Sequence, residues 1–217
     1  MQCLYQLNVD ELNKLVEKDL NLTYWFIRDD KITNRTDAIY LSDRYGKIKQ
    51  QADSNGISYN DIEVVTWFDT LVTLYYVFDR LEDEDIRNNL KILQEYCIPY
   101  SRKRADYLLI YDNKILILEF SFNKLNYEFN YETKLQQAIG YKELLSNILP
   151  KEIEIGTYTF LLEPEEDARG KTIYIELDGE KYTANHWKMD DLAKYIEKFF
   201  KKNMKVAYNA ILQLEDC

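Results

Sequence analysis

Ile98-Pro-Tyr-Ser-Arg-Lys-Arg-Ala-Asp106-Tyr-Leu-Leu-Ile-Tyr111, then Asp112-Asn-Lys114, then Ile115-Leu-Ile-Leu-Glu119-Phe-Ser121, is the stretch whose reading decides the fold. Residues 107–111 and 115–120 are short runs of Leu, Ile and aromatics separated by a polar Asp-Asn-Lys segment, which predicts a β-hairpin. Both runs are apolar on both faces, as in central strands covered on two sides. Asp106 opens the first run and Glu119 interrupts the second. Alternate residues of a strand share a face, so Ile117, Glu119 and Ser121 point the same way. A carboxylate set into an apolar strand is expensive unless it is paired or holds a cation. Two carboxylates at neighbouring strand ends offer the hard oxygen ligands that suit Mg²⁺ or Mn²⁺.

The surrounding elements follow from periodicity. A helix is expected over 132–148, with Leu135, Ala138, Ile139, Leu145 and Ile148 for burial and Lys134, Gln137 and Tyr141 on another stripe at i, i+3, i+7. Upstream, 61–78 reads as a helix with a broad apolar face of Val64, Val65, Phe68, Leu71, Val72, Tyr75 and Tyr76. Glu63, Thr66, Trp67 and Thr70 run along one of its sides.

Asp, hairpin, Glu, and then Gln137-x-x-x-Tyr141 resembles the PD-(D/E)xK nuclease superfamily, in particular its RecB-like branch with a Q-x-x-x-Y motif. The phrase over 98–110 also resembles the nuclease-like domain that precedes the helicase in some bacterial helicase-fusion proteins. The likeness is close over about a quarter of the chain and loose over 57–162. It implies an α/β (α+β) fold with a restriction-endonuclease-like core, a central mixed sheet flanked by helices. It also implies hydrolysis of phosphodiester bonds in DNA or RNA, with Asp106 and Glu119 holding Mg²⁺ or Mn²⁺. Glu63 is the match to an extra metal-facing Glu on the preceding helix; its other reading is a helix N-terminal acid favoured by the macrodipole. Gln137 and Tyr141 match the family's later motif.

The family's lysine falls at position 121, where this chain has Ser121, which brings no positive charge. A working site then needs a cation from elsewhere. Lys124 reaches it only if the strand ends or bulges at Phe122 or Asn123. Lys134, one turn before Gln137 on the same stripe, needs no such bend and is the preferred candidate. Without either, the fold is a degenerate module that binds nucleic acid or a protein partner. A third reading is an acidic, Tyr-rich interaction protein or nucleic-acid mimic.

At 217 residues and 46% hydrophobic composition the chain can bury one domain's core. Residues 1–56 are expected as an N-terminal helix and strand appendage, and 57–217 as the core with C-terminal strands and a helix. The net charge of −10 and a pI near 4.8 exclude an indiscriminate nucleic-acid coat. Contact with nucleic acid must use local basic patches, of which Arg102, Lys103 and Arg104, just before Asp106, form the foremost. DNA is the expected partner before RNA, with a helicase or defence-system protein, or a second copy in a homodimer, as further partners. Cys3, Cys97 and Cys217 are odd in number and far apart, against a disulfide framework or zinc site. No apolar run approaches the ~20 residues of a membrane span and the N-terminus shows no targeting pattern, so a cytoplasmic location is expected.

Of the remainder, 9–20 is an expected helix capped by Asn8 or Asp10, 22–27 a strand, 28–35 a turn, and 37–49 ambiguous. Residues 50–59 read as a loop, and 81–85 as a solvated acidic loop. Residues 153–162 and 172–177 alternate like strands. Asp178-Gly179 suggests a hairpin, and 190–200 a helix running into a basic cluster over 198–205. His186 is the sole histidine and reads as structural. No Gly-rich phosphate loop is present.

Overall fold

The computed structural model describes residues 2–18, 42–122, 127–164, 173–177, 180–184, 186–201 and 214. The strand expected over 22–27, the turn over 28–35, Lys124, residues 165–170, the turn at 178–179, the basic residues 202–205 and Cys217 lie outside them.

The elements run β1 (Tyr5–Asn8), α1 (Val9–Glu17), α2 (Asp43–Ser54), α3 (Asp61–Phe78), α4 (Glu84–Asn89), β2 (Lys91–Cys97), β3 (Arg104–Tyr111), β4 (Lys114–Phe122), α5 (Tyr127–Ile148), β5 (Glu154–Pro164), β6 (Ile173–Leu177), β7 (Glu180–Ala184) and α6 (His186–Phe200). Five strands form a mixed sheet in the order β1-β2-β3-β4-β5, flanked by helices, and β7 and β6 extend it beyond β5. Every pairing is antiparallel except β4 with β5, and a parallel neighbour requires a crossover, here supplied by α5.

Local signals explain the ends of these elements. Asn8 caps α1 and Asn60 caps α3 through reciprocal capping boxes with Glu11 and Glu63. The β3–β4 hairpin closes through Asp112, whose φ of +55° is tolerated by aspartate in a tight turn. The loop expected over 50–59 is helical as far as Ser54. Ser42 caps this helix, and Arg44, Ile48 and Ala52 on one face bury it, overriding weak propensity. The acidic run at 81–85 contains the cap of a short helix, with Asp83 accepting from the N–H groups of Asp85 and Ile86.

The sheet is covered on both faces, which is why β3 and β4 are apolar throughout. One face carries Tyr107, Leu109, Tyr111, Leu116, Leu118 and Phe120 against α1, α3 and α6. The other carries Leu108, Ile110, Ile115 and Ile117 against Ala138, Tyr141 and Leu145 of α5. The first 56 residues, read as an appendage, supply the edge strand β1, paired with β2, and Val9, Leu12, Val16, Ile48 and Ala52 of the first core layer. No helix among the described residues is long and apolar enough to cross a membrane.

Candidate functional site

Strand parity places the two carboxylates. Asp106 shares its face with Leu108 and Ile110, and Glu119 shares its face with Ile115 and Ile117, so both point to the α5 side. The β3–β4 register pairs Tyr107 with Leu118, and one step further sets Asp106 opposite Glu119. There the ladder opens, and the side chains take over its hydrogen bonds. The Asp106 N–H donates to Glu119 Oε1 at 3.0 Å, and the Phe120 N–H donates to Asp106 Oδ2 at 2.8 Å. Each carboxylate is therefore pinned by the other's strand, which fixes both before any ligand arrives.

Lys134 completes the cluster. Its ammonium lies 2.9 Å from Glu119 Oε2 and 3.1 and 3.3 Å from the two Asp106 oxygens. The sequence separates a burial stripe from a Lys134-Gln137-Tyr141 stripe, but α5 presents one face to the sheet. Ala138, Tyr141 and Leu145 are buried on it, while Leu135 and Ile139 are only half-buried. Lys134 stands one turn before Ala138 on that same face, where the apolar sheet surface gives way to carboxylates. Ser121, where the resembled family carries its lysine, is 2% exposed on the carboxylates' face, and among the described residues its hydroxyl finds no hydrogen-bond partner.

Glu95 is a third carboxylate at this site, one absent from the sequence reading. It lies on β2 across from Asp106, between the pairs Gln94–Tyr107 and Tyr96–Ala105, and is itself left out of the ladder. Its φ of +52° is rare for a non-glycine residue inside a strand, and such strain persists only where the surroundings impose it. Its carboxylate meets Arg104 Nε at 3.1 Å. The signal in the sequence is two successive polar residues, Gln94 and Glu95, within Ile-Leu-Gln-Glu-Tyr-Cys.

Arg104, expected to meet nucleic acid, lines the cleft with its guanidinium held by acceptors of the protein itself. It bonds Glu95, Glu63 Oε1 at 3.0 Å and the Ser58 carbonyl at 2.6 Å, and its guanidinium lies over the Trp67 ring. Three acceptors and an aromatic face hold a guanidinium that is less strongly hydrated than an ammonium. Glu63 is correspondingly occupied: one oxygen takes Arg104, the other accepts the Asn60 N–H at 2.8 Å in the capping box. It lines the same cleft but sits with Arg104 rather than with the Asp106–Glu119 pair.

The cleft has a volume of about 630 Å³. Glu63, Thr66, Trp67 and Thr70 of α3 form one wall, Lys134, Gln137 and Tyr141 of α5 another, and Arg102 and Lys103 stand at its rim. Gln137 donates its amide to the Tyr141 hydroxyl. Asp106 is reachable from the cleft, whereas Glu119 is 0% exposed beneath Lys134.

Burial dominates the electrostatics. It pushes the Glu95 carboxyl up to about 8, reinforced by Asp106 and opposed by Arg104 and Lys134. Burial and the Asp106 charge likewise hold Glu119 well above the usual carboxylate range despite Lys134. Lys134 moves upward too: burial opposes its charge, but Asp106 and Glu119 together overcome it. Four carboxylates, Glu63, Glu95, Asp106 and Glu119, against Lys134 and Arg104 leave two negative charges in excess when all are ionised, so the cluster favours a further proton or cation.

Among the described residues no three His, Cys, Asp or Glu side chains form a ready-made metal cage. Three oxygens of Asp106 and Glu119 converge within 3.3 Å of one cationic centre, the Lys134 ammonium, so a hard divalent cation held by both carboxylates would take the ammonium's place. A Mg²⁺-like ion needs only one or two protein carboxylates, the rest of its shell being water and substrate oxygen. Compared with known proteins, the chain matches no family model, no curated protein and no solved structure.

Proposed function

We propose that the protein is a metal-dependent phosphodiesterase acting on nucleic acid, with a restriction-endonuclease-like core whose lysine has moved from the strand to the following helix. The observation that carries the reading is the Lys134 ammonium on both Asp106 and Glu119, at the strand ends where Asp-hairpin-Glu sequences place their site. Mg²⁺ or Mn²⁺ held by Asp106 and Glu119 would supply Lewis acidity to phosphoryl oxygens and favour ionisation of water. The remaining work falls to the chain's own groups. Lys134 sets a positive charge at the cleft floor, where charge develops on phosphate oxygens in the transition state. Asp106 and Glu119 are themselves fixed by hydrogen bonds from the backbone of each other's strand. Arg102 and Lys103 at the rim meet substrate phosphates, which localises nucleic-acid contact on an otherwise acidic molecule.

The test is incubation of labelled linear, circular and single-stranded DNA and of RNA with Mg²⁺ or Mn²⁺. Wild type should cut at least one of them. Glu119→Gln should be inactive and Lys134→Ala weaker by about 10²-fold or more, the usual cost of one preorganised electrostatic group. A second reading is favoured by the complete burial of Glu119: Lys134 is then a structural counter-ion, and the module binds without cutting. An inert wild type that still binds nucleic acid selects it.

A further inference from the structure

The turn joining β2 to β3 carries, besides Arg102 and Lys103, an exposed side chain that this chemistry does not employ. Ile98 N–H donates to the Lys103 carbonyl at 2.9 Å, Ser101 N–H to the Ile98 carbonyl at 3.2 Å, and Lys103 N–H to Ser101 Oγ at 3.1 Å. Ser101 Oγ also donates to the Ile98 carbonyl at 3.0 Å, and Pro99 restricts the backbone further. The turn is thus ordered by its own bonds. At its tip Tyr100 has φ +58° and is 93% exposed, the one large hydrophobic side chain so exposed among the described residues. A left-handed backbone and a bare aromatic ring are both unfavourable in isolation. Beside it, Arg102 and Lys103 are exposed and lie on the rim of the carboxylate cleft. An exposed ring on an ordered backbone next to two cations is the composition of a surface that takes nucleic-acid strands by stacking and phosphate contact. A cleft of about 630 Å³ accepts a nucleotide-sized group.

We propose that Tyr100 is a base-stacking contact: the turn over 98–103 takes one unpaired base of a DNA or RNA strand on the Tyr100 ring while Arg102 and Lys103 hold the flanking phosphates. The substrate is then a single strand or a frayed end. This deepens the phosphodiesterase reading by naming its substrate class, yet the stacking contact can be measured without cleavage. Stacking tolerates any base, because every base has a π-face, so little sequence preference is expected.

The experiment uses the full chain in chelator at low salt with single-stranded DNA, single-stranded RNA and blunt duplex, each carrying 2-aminopurine as the fluorescent base. Wild type should bind a single strand more tightly than duplex and quench its fluorescence. Tyr100→Ala should lose about tenfold in single-strand affinity together with the quench, while Tyr100→Phe keeps both. Arg102→Ala with Lys103→Ala should flatten the salt dependence. Single-strand affinity and quench unchanged in Tyr100→Ala, a Phe variant no better than the Ala variant, or no strand bound by wild type would each overturn the stacking contact. Adding Mg²⁺ or Mn²⁺ separates the two readings. Tyr100-dependent quenching without any cleavage retains the stacking contact and sinks the phosphodiesterase, and cleavage of single strands indifferent to Tyr100→Ala does the reverse.

Discussion

Glu119→Gln tests the charge balance of the cluster directly. In the folded chain the Glu119 carboxyl sits at about 8 against an ordinary value of 4.5, chiefly because it is fully buried. A folded-state pKa above the unfolded one means that the associated stability is fully present below about 4.5 and is lost as pH rises toward about 8. At ~1.4 kcal/mol per unit, that window sets a ceiling of about 5 kcal/mol for an isolated group. Glu95 and Lys134 are coupled to Glu119, so the expected drop between pH 5 and 8 in chelator lies well below that ceiling, on the order of 2 kcal/mol. Lys134 does not disturb this window, because its own pKa is raised and its contribution fades only above the ordinary lysine range. Glutamine cannot ionise, and its carbonyl can still accept the Asp106 N–H now received by Glu119 Oε1. Its NH₂ then faces the Lys134 ammonium, a donor against a donor, costing about 1 kcal/mol at every pH. The urea midpoints of wild type and variant should therefore converge or cross between pH 5 and 8, wild type being the more stable at pH 5. Parallel curves, or a wild type whose stability rises over that range, would refute the assignment of Glu119 as a buried, proton-hungry carboxyl.

Four further outcomes follow from the structure. Lys134→Met, which leaves Glu119 buried without its cation, should destabilise by about 3–5 kcal/mol at pH 8 and by less at pH 5, where a proton can replace the ammonium, read from urea midpoints. Ser121→Ala should be neutral or stabilising by about 1 kcal/mol, since it removes a buried hydroxyl with no partner among the described residues. Ser121→Lys should destabilise by several kcal/mol and add no cleavage, which thermal melts and the nuclease assay would check. Gly156→Ala should cost about 1–3 kcal/mol in thermal melts, because a Cβ there would meet the Phe199 ring at 2.6 Å.

Much of the scaffold was legible in the chain. The apolar runs flanking Asp112-Asn113, the α3 and α5 periodicities and the placement of Asp106 and Glu119 on one face required only local spacing, and the side of α3 marked by Glu63, Thr66, Trp67 and Thr70 does line the cleft. Even Lys134 was accessible, because α5 is regular and the helical repeat carries a residue's direction over several turns. The pairing of β1 with β2, the role of Glu95 and the acceptors that hold Arg104 were not accessible. Lys91–Cys97 has neither a clean alternation nor an unbroken apolar run, and its Glu95 matters only because a strand distant in sequence sets Asp106 opposite it. Arg104 looked like surface charge until Glu95, Glu63, Ser58 and Trp67 were gathered round it from three other segments. Sequence by itself determined which faces are apolar and where carboxylates interrupt them, since those follow from backbone periodicity. Tertiary structure alone decided which charges meet, because the energy of a buried charge depends on partners brought within a few ångströms from elsewhere in the chain.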